Sequence, residues 1–214
     1  MKLKSLQDYI DNASNTKERL LLNAIKLFSK KGVDNVGIRE LCRECGIKES
    51  SFYNHYKGKD AMFSAIIERF KDGNKKVALD EADVQTIIES KQVARLFHYS
   101  MNKFSQVTGN PLFYNILRII IMESYIRKEA YIASKQNLYY TRKDGMEKAL
   151  QGLIDTGCAN KCDVKQVIAE YLYGLIGLLN EYTLLECWGE DLGQIMSKIK
   201  AHMDYFTNML QVKK

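Results

Sequence analysis

The spacing of apolar residues constrains this chain most, because they recur at intervals of three and four along most of its length. In the segment 16–31 this stripe consists of Leu20, Leu21, Ala24, Leu27 and Phe28. Such spacing places apolar side chains on one face of a helix, and no useful stretch alternates as a strand would. Pro111 is the single proline, so composition permits long helices. The pattern predicts an all-α fold.

About nine helices are predicted. Gly32 and Gly46 suit helix ends, Pro111 suits a first helical position, and Asn15 with Glu18 resembles a capping box. The predicted ranges are 16–31, 38–45, 49–55, a helix from about 59, 83–108, 111–127, 128–156, 163–188 and 191–212. The polar stretch 71–76 is the best candidate for a domain junction. We therefore expect an N-terminal domain over 1–72, with a core at 16–59, and a second domain over 73–214.

Positive charge is concentrated near the N-terminus. The segment 16–59 holds ten Lys and Arg against five acids, which gives +5 of the chain's +6. This excess is compatible with an acidic partner. The five cysteines are an odd number without a visible secretion signal, so we expect reduced thiols. No apolar run approaches the roughly 18 residues of a membrane span, and we expect a cytoplasmic protein.

The segment 32–59 predicts a short helix, a turn containing Gly46, and a second short helix. This order is typical of a helix-turn-helix. Leu41 and Cys42 can pack against Ile47 and Phe52 around the turn, while Leu27 and Phe28 complete a small core. The second short helix then keeps an outward polar face, as a reader of the DNA major groove requires.

At these residues the chain resembles the TetR family of tetracycline-repressor-like regulators. The resemblance runs from Arg19 to about Phe70 and is most specific over 46–59. The positions that match the family pattern are Ala24, Leu27, Phe28, Gly32, Val33, Ile38, Leu41, Gly46, Ile47, Ser51, Phe52, Tyr53, Tyr56, Lys59 and Met62. Two positions depart from it: Gly37 replaces a Ser or Thr cap, and Lys48 replaces the small polar cap of the recognition helix. Base preference therefore cannot be transferred from the family.

The resemblance implies a helix-turn-helix DNA-binding domain followed by a helical effector-binding and dimerisation domain. The expected DNA contacts are Arg39, Lys48, Glu49, Ser50, Ser51, Tyr53, His55 and Lys59. Tyr53, His55 and Lys59 would contact phosphates, and Ser51 could add a hydroxyl bond. The others would face base edges, with Lys48 able to serve either role. The alternative is a core aromatic for Tyr53 and solvated surface groups for the rest.

The resemblance also implies a homodimer in which the last two helices of each chain form a four-helix bundle. The expected interface residues are Ile168, Leu172, Leu175, Leu179, Ile195, Ile199, Met203 and Phe206. Ordinary packing within one chain is the alternative for each. A dimer would place two recognition helices on a palindromic site in double-stranded DNA.

Aromatic residues and methionine are frequent in the middle helices. They suit a cavity for a small, largely apolar effector, although core packing explains any one of them. The candidate lining residues are Phe97, Tyr99, Met101, Phe104, Phe113, Met122, Tyr125 and Tyr139. No cofactor and no metal ion are expected.

The leading hypothesis is a DNA-binding repressor that a small effector releases. One alternative is an activator or constitutive regulator with a protein partner, and another is a cysteine-based redox sensor. Cys42 and Cys45 have the spacing of half a zinc site, but they fall on a helix where the family commonly has alanine. Cys158 and Cys162 flank a turn. An enzyme is disfavoured, because the sequence contains no nucleophile elbow, phosphate loop or His–Glu metal motif.

Overall fold

A computed structural model describes residues 5–212 of the chain. The side chains outside this description are those of Phe104, Gln106, Val107, Thr108, Leu138 and Tyr139. Within the described residues the chain is helical, without a strand, and one isolated antiparallel bridge joins Ala159 to Gln211. The predicted all-α fold is confirmed. None of the described helices is long and apolar enough to cross a membrane.

Twelve α-helices and one π-helical segment are present between residues 5 and 212. The α-helices are α1 (Leu6–Asp11), α2 (Thr16–Lys31), α3 (Ile38–Cys45), α4 (Glu49–Tyr53), α5 (Lys59–Lys75), α6 (Glu81–Ser90), α7 (Val93–Thr108), α8 (Pro111–Glu123), α9 (Lys128–Ser134), α10 (Lys143–Asp155), α11 (Val164–Trp188) and α12 (Gly193–Leu210). The π-helical segment is Lys135–Tyr140.

This number exceeds the predicted nine for three local reasons. The predicted helix 83–108 is divided because Lys91 adopts a left-handed conformation, with φ 55°, and ends α6. The predicted helix 128–156 is divided by the π-helical segment. α1 was not predicted, although Ser5 and Asp8 form a capping box at its start. Periodicity alone does not reveal such breaks, because the apolar spacing continues across them.

The described chain forms two compact units, and neither is contiguous in sequence. The first contains residues 5–75 and 105–136, and the second contains 76–104 and 137–212. The stretch 71–76, predicted as a junction, lies almost entirely in α5, which continues to Lys75. These units describe packing, and the functional division into 1–72 and 73–214 remains a prediction.

In the first unit, α8 joins the core formed by α2 and α5. A Cβ atom on Gly73 would lie only 2.2 Å from the ring of Phe113, so glycine permits this ring to approach α5. The same ring stacks on Phe70, with 5.8 Å between centroids. Ser29 of α2 donates a hydrogen bond of 2.8 Å to the side chain of Asn115. Residues distant in sequence therefore hold the N-terminal helices in place.

The second unit has an aromatic core. The ring centroid of Tyr171 lies 4.6 Å from the ring centroid of Phe97 and 5.5 Å from that of Phe206. His202 stacks on Tyr171, and its Nε2 lies 2.8 Å from the Tyr171 carbonyl oxygen. Gly174 allows this approach, since a Cβ atom there would lie 2.4 Å from the His202 ring. These contacts bind α7, α11 and α12 together.

A buried carboxylate lies in the first turn of α6 in the same unit. Asp80 and Asp83 form a capping box, and the ammonium of Lys103 pairs with Asp83. Burial alone would raise the pKa of Asp83, but hydrogen bonds from Lys103, the Asp80 backbone and Tyr99 lower it overall. The carboxylate therefore stays charged in the folded chain.

Candidate nucleic-acid interface

The turn between α3 and α4 is formed by a left-handed glycine. Gly46 has φ 63°, a conformation that a glycine adopts without a Cβ penalty. Its N–H donates to the carbonyl of Arg43 at 3.1 Å, and the N–H of Ile47 donates to the carbonyl of Cys42 at 3.0 Å. These bonds satisfy carbonyls at the end of α3 and reverse the chain tightly. The predicted helix-turn-helix geometry is present.

The inner face of α4 is anchored by Phe52. This side chain is fully buried, as are Leu41 and Phe28, whereas Ile47 is only partly buried. Just after α4, the buried Tyr56 donates a hydrogen bond of 3.4 Å to the carbonyl of Lys17 in α2. Packing on the inner side therefore fixes which face of α4 remains outside.

The outer face of α4 is polar and accessible. Lys48, Glu49 and Ser50 are exposed, and Tyr53 is 57% exposed. Lys48 occupies the N-cap in extended conformation without a side-chain capping bond, since an ammonium cannot accept from the free N–H groups of α4. Two further predicted contacts were Ser51 and His55, and both are half-buried. The face offers a cation, a carboxylate, hydroxyls and a phenol, which are groups that bind base edges and phosphates.

Arg39 and Glu49 form an ion pair across the two helices of the motif. The Nε of Arg39 lies 2.8 Å from Oε1 of Glu49, and both side chains are well exposed. Surface pairs of this kind contribute only about 0–1 kcal/mol. The guanidinium can therefore exchange this carboxylate for another acceptor at little cost.

Lys59 holds the loop that precedes α3. Its Nζ donates to the carbonyls of Val33 at 3.0 Å and Asp34 at 3.2 Å. An ammonium has three donors, so one remains for another acceptor. The structure thus gives Lys59 a positioning role that the sequence did not reveal, and its phosphate contact remains a prediction.

An ion network around one buried carboxylate supports the same loop. Glu123 of α8 is 3% exposed, and its Oε1 accepts the Val33 N–H at 2.8 Å. Its Oε2 lies 3.0 Å from Nε of Arg127, which also pairs with Asp60, at 3.0 Å, and with Asp34. Burial would lower the pKa of Arg127, but pairing with Asp34 and Asp60 raises it overall. Glu123 and Arg127 therefore connect α8 to the start of α5 and to the loop before α3.

Sequence reasoning missed these two residues, although a signal was present. Glu123 ends an apolar run over 119–122, where an isolated acid needs a partner. Arg127 follows four residues later, the spacing of helical ion pairs. Its contacts with Asp34 and Asp60 join positions 93 and 67 residues apart, and no local pattern predicts them.

The cysteines do not favour the redox-sensor alternative. All five are free thiols, and Cys42 and Cys45 are buried. Burial raises the pKa of both thiols and of Cys162, which disfavours the reactive thiolate. Among the described residues no group of three or more His, Cys, Asp or Glu could hold a metal ion.

The predicted effector-pocket residues are distributed over both units. Phe113, Met122 and Tyr125 belong to the first unit, while Phe97, Tyr99 and Met101 belong to the second. Phe104 and Tyr139 lie outside the described side chains. Tyr125 is 90% exposed and so lines no enclosed cavity within its unit. The pocket itself remains a prediction.

The predicted dimer residues lie mostly inside the second unit, and their role in an interface remains a prediction. Seven of the eight are buried in the core of the second unit, namely Ile168, Leu172, Leu175, Ile195, Ile199, Met203 and Phe206, and Leu179 is half-buried. A side chain already buried in one chain has little area left to bury against another. The exposed apolar residues of α11 and α12 are Tyr173, Leu184, Trp188, Met196, Tyr205 and Met209. Both helices are apolar on two faces, and the sequence pattern did not distinguish the inner face from the outer one.

These features define a helix-turn-helix domain built from α2, α3 and α4. Its inner side is buried, and α4 has an exposed polar face. Domains of this class place the second helix of the motif in the major groove of DNA. Residues 20–66 match the family described as bacterial regulatory proteins, tetR family. Over this segment the chain is similar to regulators of the tetR family, as the resemblance predicted.

Two relatives share this N-terminal segment. The uncharacterised transcriptional regulator YerO of Bacillus subtilis is 41% identical over 54 residues, which are 25% of this chain and 19% of YerO. The biofilm operon negative regulator IcaR of Staphylococcus epidermidis is 35% identical over 52 residues, 24% of this chain and 28% of IcaR. The chain thus covers less than a third of the length of either relative.

The whole fold is similar to that of SmeT, solved in complex with triclosan. The TM-score is 0.63 at 19% identity, and the match covers 92% of each chain. At this identity the likeness concerns the fold alone.

Proposed function

We propose that this chain is a cytoplasmic repressor of transcription that binds a palindromic operator as a homodimer and is released by a small, largely apolar effector. The observation that carries the proposal is the exposed polar face of α4, held outward by the buried Phe52. This face belongs to the segment that holds nearly all the net positive charge. Positive charge draws the domain to DNA, and the polar groups discriminate between bases.

Two kinds of contact follow from the positions of the side chains. Tyr53 and Lys48 extend from α4 into solvent, and each can bind a phosphate. Arg39 and Glu49 lie beside them as a pair, so a guanine can take the guanidinium while a cytosine amine donates to the carboxylate. This exchange would select bases without leaving either charge unpaired.

The proposed dimer uses the outer apolar face of α11 and α12. Trp188 is 79% exposed, and Leu184 lies one turn before it on α11. Met196 and Tyr205 provide exposed apolar surface on α12. Exposed aromatic and methionine side chains are enriched in protein interfaces. A twofold dimer would hold two α4 helices about 34–36 Å apart, one turn of DNA.

Effector release is proposed to act through α5. The complex of SmeT with triclosan is a precedent for a small apolar ligand in this fold, and IcaR is a precedent for negative regulation. A movement of α8 would be transmitted to α5 by two contacts. The ring of Phe113 packs against Gly73, and Arg127 forms an ion pair with Asp60. A shift of α5 would then change the separation of the two α4 helices in the dimer.

Selection from random duplex DNA tests the proposal. We expect the purified chain to enrich a palindrome, and Tyr53→Phe to weaken binding by about 3–10-fold through loss of one hydrogen bond. If Lys48 contacts a phosphate, Lys48→Ala should lower the salt dependence of DNA binding by about one counterion. If Lys48 contacts a base, the same substitution should change the sequence preference instead.

Lys161→Ala is the charge-matched control, because Lys161 is exposed in the second unit, away from α4 in sequence. It removes the same charge and should leave affinity nearly unchanged. Absence of an enriched palindrome, or equal effects of the two lysine variants, would contradict the proposed interface.

A further inference from the structure

An open cleft lies between α1, α2 and the end of α3 in the first unit. Its volume is about 570 Å³, which falls within the range of roughly 300–1,000 Å³ that small-molecule sites occupy. Most of its lining residues are polar or charged, and Gly46 of the helix-turn-helix turn is among them. None of these described residues is a predicted DNA contact or a predicted pocket residue. The cleft is therefore a separate place where a polar ligand can bind.

Side-chain contacts hold the three helices around the cleft. The amide of Asn23 in α2 donates to the sulfur of Cys45, the last residue of α3, at 3.4 Å. The ammonium of Lys26 in α2 donates to Oε1 of Gln7 in α1 at 3.2 Å. Ile10, Asn23 and Cys45 line the cleft and are buried, so its base is packed. α2 thus connects both neighbouring helices, and the cleft has defined walls.

The charges that line the cleft are unequally paired. Its cations are Arg19, Lys26 and Arg43, and its acids are Asp11 and Glu44, which leaves one net positive charge. The ammonium of Lys26 lies 3.9 Å from Oε2 of Glu44. Neither guanidinium has an ion-pair partner among the side chains that the structure describes. Two guanidinium groups are therefore available for an anion.

Arg19 is the more constrained of the two arginines. Its Nε is buried and has no hydrogen-bond partner among the described residues. Burial raises the pKa of the Cys45 thiol overall, and the nearby Arg19 guanidinium opposes this shift, so its charge acts at the base of the cleft. Arg43, by contrast, is exposed in the last turn of α3. A buried donor without a partner is costly, and an anion that accepts from Arg19 would relieve this cost.

We propose that this cleft binds a small phosphate monoester of a polyhydroxy molecule, such as a sugar phosphate, with its phosphate on Arg19 and Arg43. A phosphate group accepts from several donors at once and matches more than one guanidinium fork, whereas a single fork satisfies a carboxylate. The carboxylates of Asp11 and Glu44 would repel the phosphate but accept hydrogen bonds from hydroxyl groups. This site is separate from that of the proposed apolar effector, and Gly46 in its lining would connect it to the turn before α4.

Calorimetric titration of the full chain with matched esters and sugars tests this proposal. The probes are glucose 6-phosphate and ribose 5-phosphate, each compared with glucose or ribose in a buffer without phosphate. We expect at least one ester to bind more tightly than its parent sugar by about tenfold or more, since hydrogen bonds to charged groups are strong. Arg43→Met and Arg19→Met should each reduce this preference to about threefold or less, because each removes one of the two forks.

Arg39→Met is the matched control, because Arg39 is an exposed arginine of α3 that does not line the cleft, and it should keep the preference. Equal binding of ester and sugar, no binding of either ester, or an unchanged preference in Arg43→Met overturns the proposal. If Arg19→Met does not fold, by circular dichroism, Arg43→Met decides, because Arg43 is exposed. Binding of duplex DNA by the same preparations is measured separately. If neither ester binds and Arg43→Met weakens DNA binding, the cleft holds a backbone phosphate of DNA instead, and the proposal of a small ester is overturned.

Discussion

Replacement of Arg127 by methionine examines the connection between α8 and the helix-turn-helix. The substitution keeps an unbranched apolar stem and removes the guanidinium. Glu123 is 3% exposed, so its carboxylate would remain buried with only the Val33 N–H as partner. Removal of one member of a buried ion pair is costly because the other charge stays desolvated.

The expected loss of stability follows from burial. Breaking a buried pair costs about 3–5 kcal/mol, and we expect the lower end, about 3 kcal/mol. The reason is that the Arg127 side chain is 21% exposed, so water can reach part of the vacated space. The double variant Glu123→Gln with Arg127→Met removes the stranded charge and keeps an acceptor for Val33. It should recover about 1–2 kcal/mol of the loss.

Urea unfolding followed by far-UV circular dichroism measures these differences. Amide hydrogen exchange at Val33 reports the same contact locally, and it should accelerate in Arg127→Met. Asp60→Asn is the control, because Asp60 also pairs with Arg127 but its side chain is 89% exposed, and we expect a loss of about 0.5 kcal/mol. Equal stabilities of Arg127→Met and Asp60→Asn, or no recovery in the double variant, would refute the reasoning.

Three further predictions concern acid stability, packing and assembly. The pKa of Asp83 is lower in the folded chain than its unfolded value of about 3.9. The charged carboxylate therefore stabilises the fold fully above the unfolded pKa, and this stabilisation is lost as the pH falls through the folded pKa. The gap between wild type and Asp83→Asn in urea midpoint should therefore shrink from pH 7 to pH 3, and a constant gap contradicts this. Gly73→Ala should destabilise by about 1–3 kcal/mol against the ring of Phe113, although alanine normally stabilises a helix, and a gain in thermal midpoint contradicts the close contact. Trp188→Glu should convert a dimer to monomers in sedimentation velocity without loss of helix content, while Ile126→Glu, exposed on the first unit, should not.

Local signals predicted the N-terminal helices well. α2 and α3 begin and end where the caps and apolar stripes indicated, and α4 is two residues shorter than predicted. The side chain of Asn15 accepts from the N–H of Glu18 at 2.9 Å, and Gly46 closes α3. These features depend on neighbours a few residues apart, so the sequence contains their physical cause.

The middle of the chain was predicted less well. Lys91 takes a left-handed conformation that its residue type does not favour, and the π-helical segment follows α9 without a marker such as proline or glycine. Phe113, a predicted pocket residue, stacks on Phe70 beside Gly73, a contact that the sequence pattern did not indicate. Each outcome depends on contacts with distant helices, and periodicity does not record them.

The sequence by itself determined the helical class, the helix-turn-helix and the residues on its polar face. These follow from apolar spacing, from capping residues and from a glycine at the turn, all of which act over a few residues. Only the tertiary structure decided that Glu123 and Arg127 support the loop before α3, and which face of α11 and α12 is buried. Burial and the pairing of charges are properties of surfaces that meet in space, and residues far apart in the chain create them.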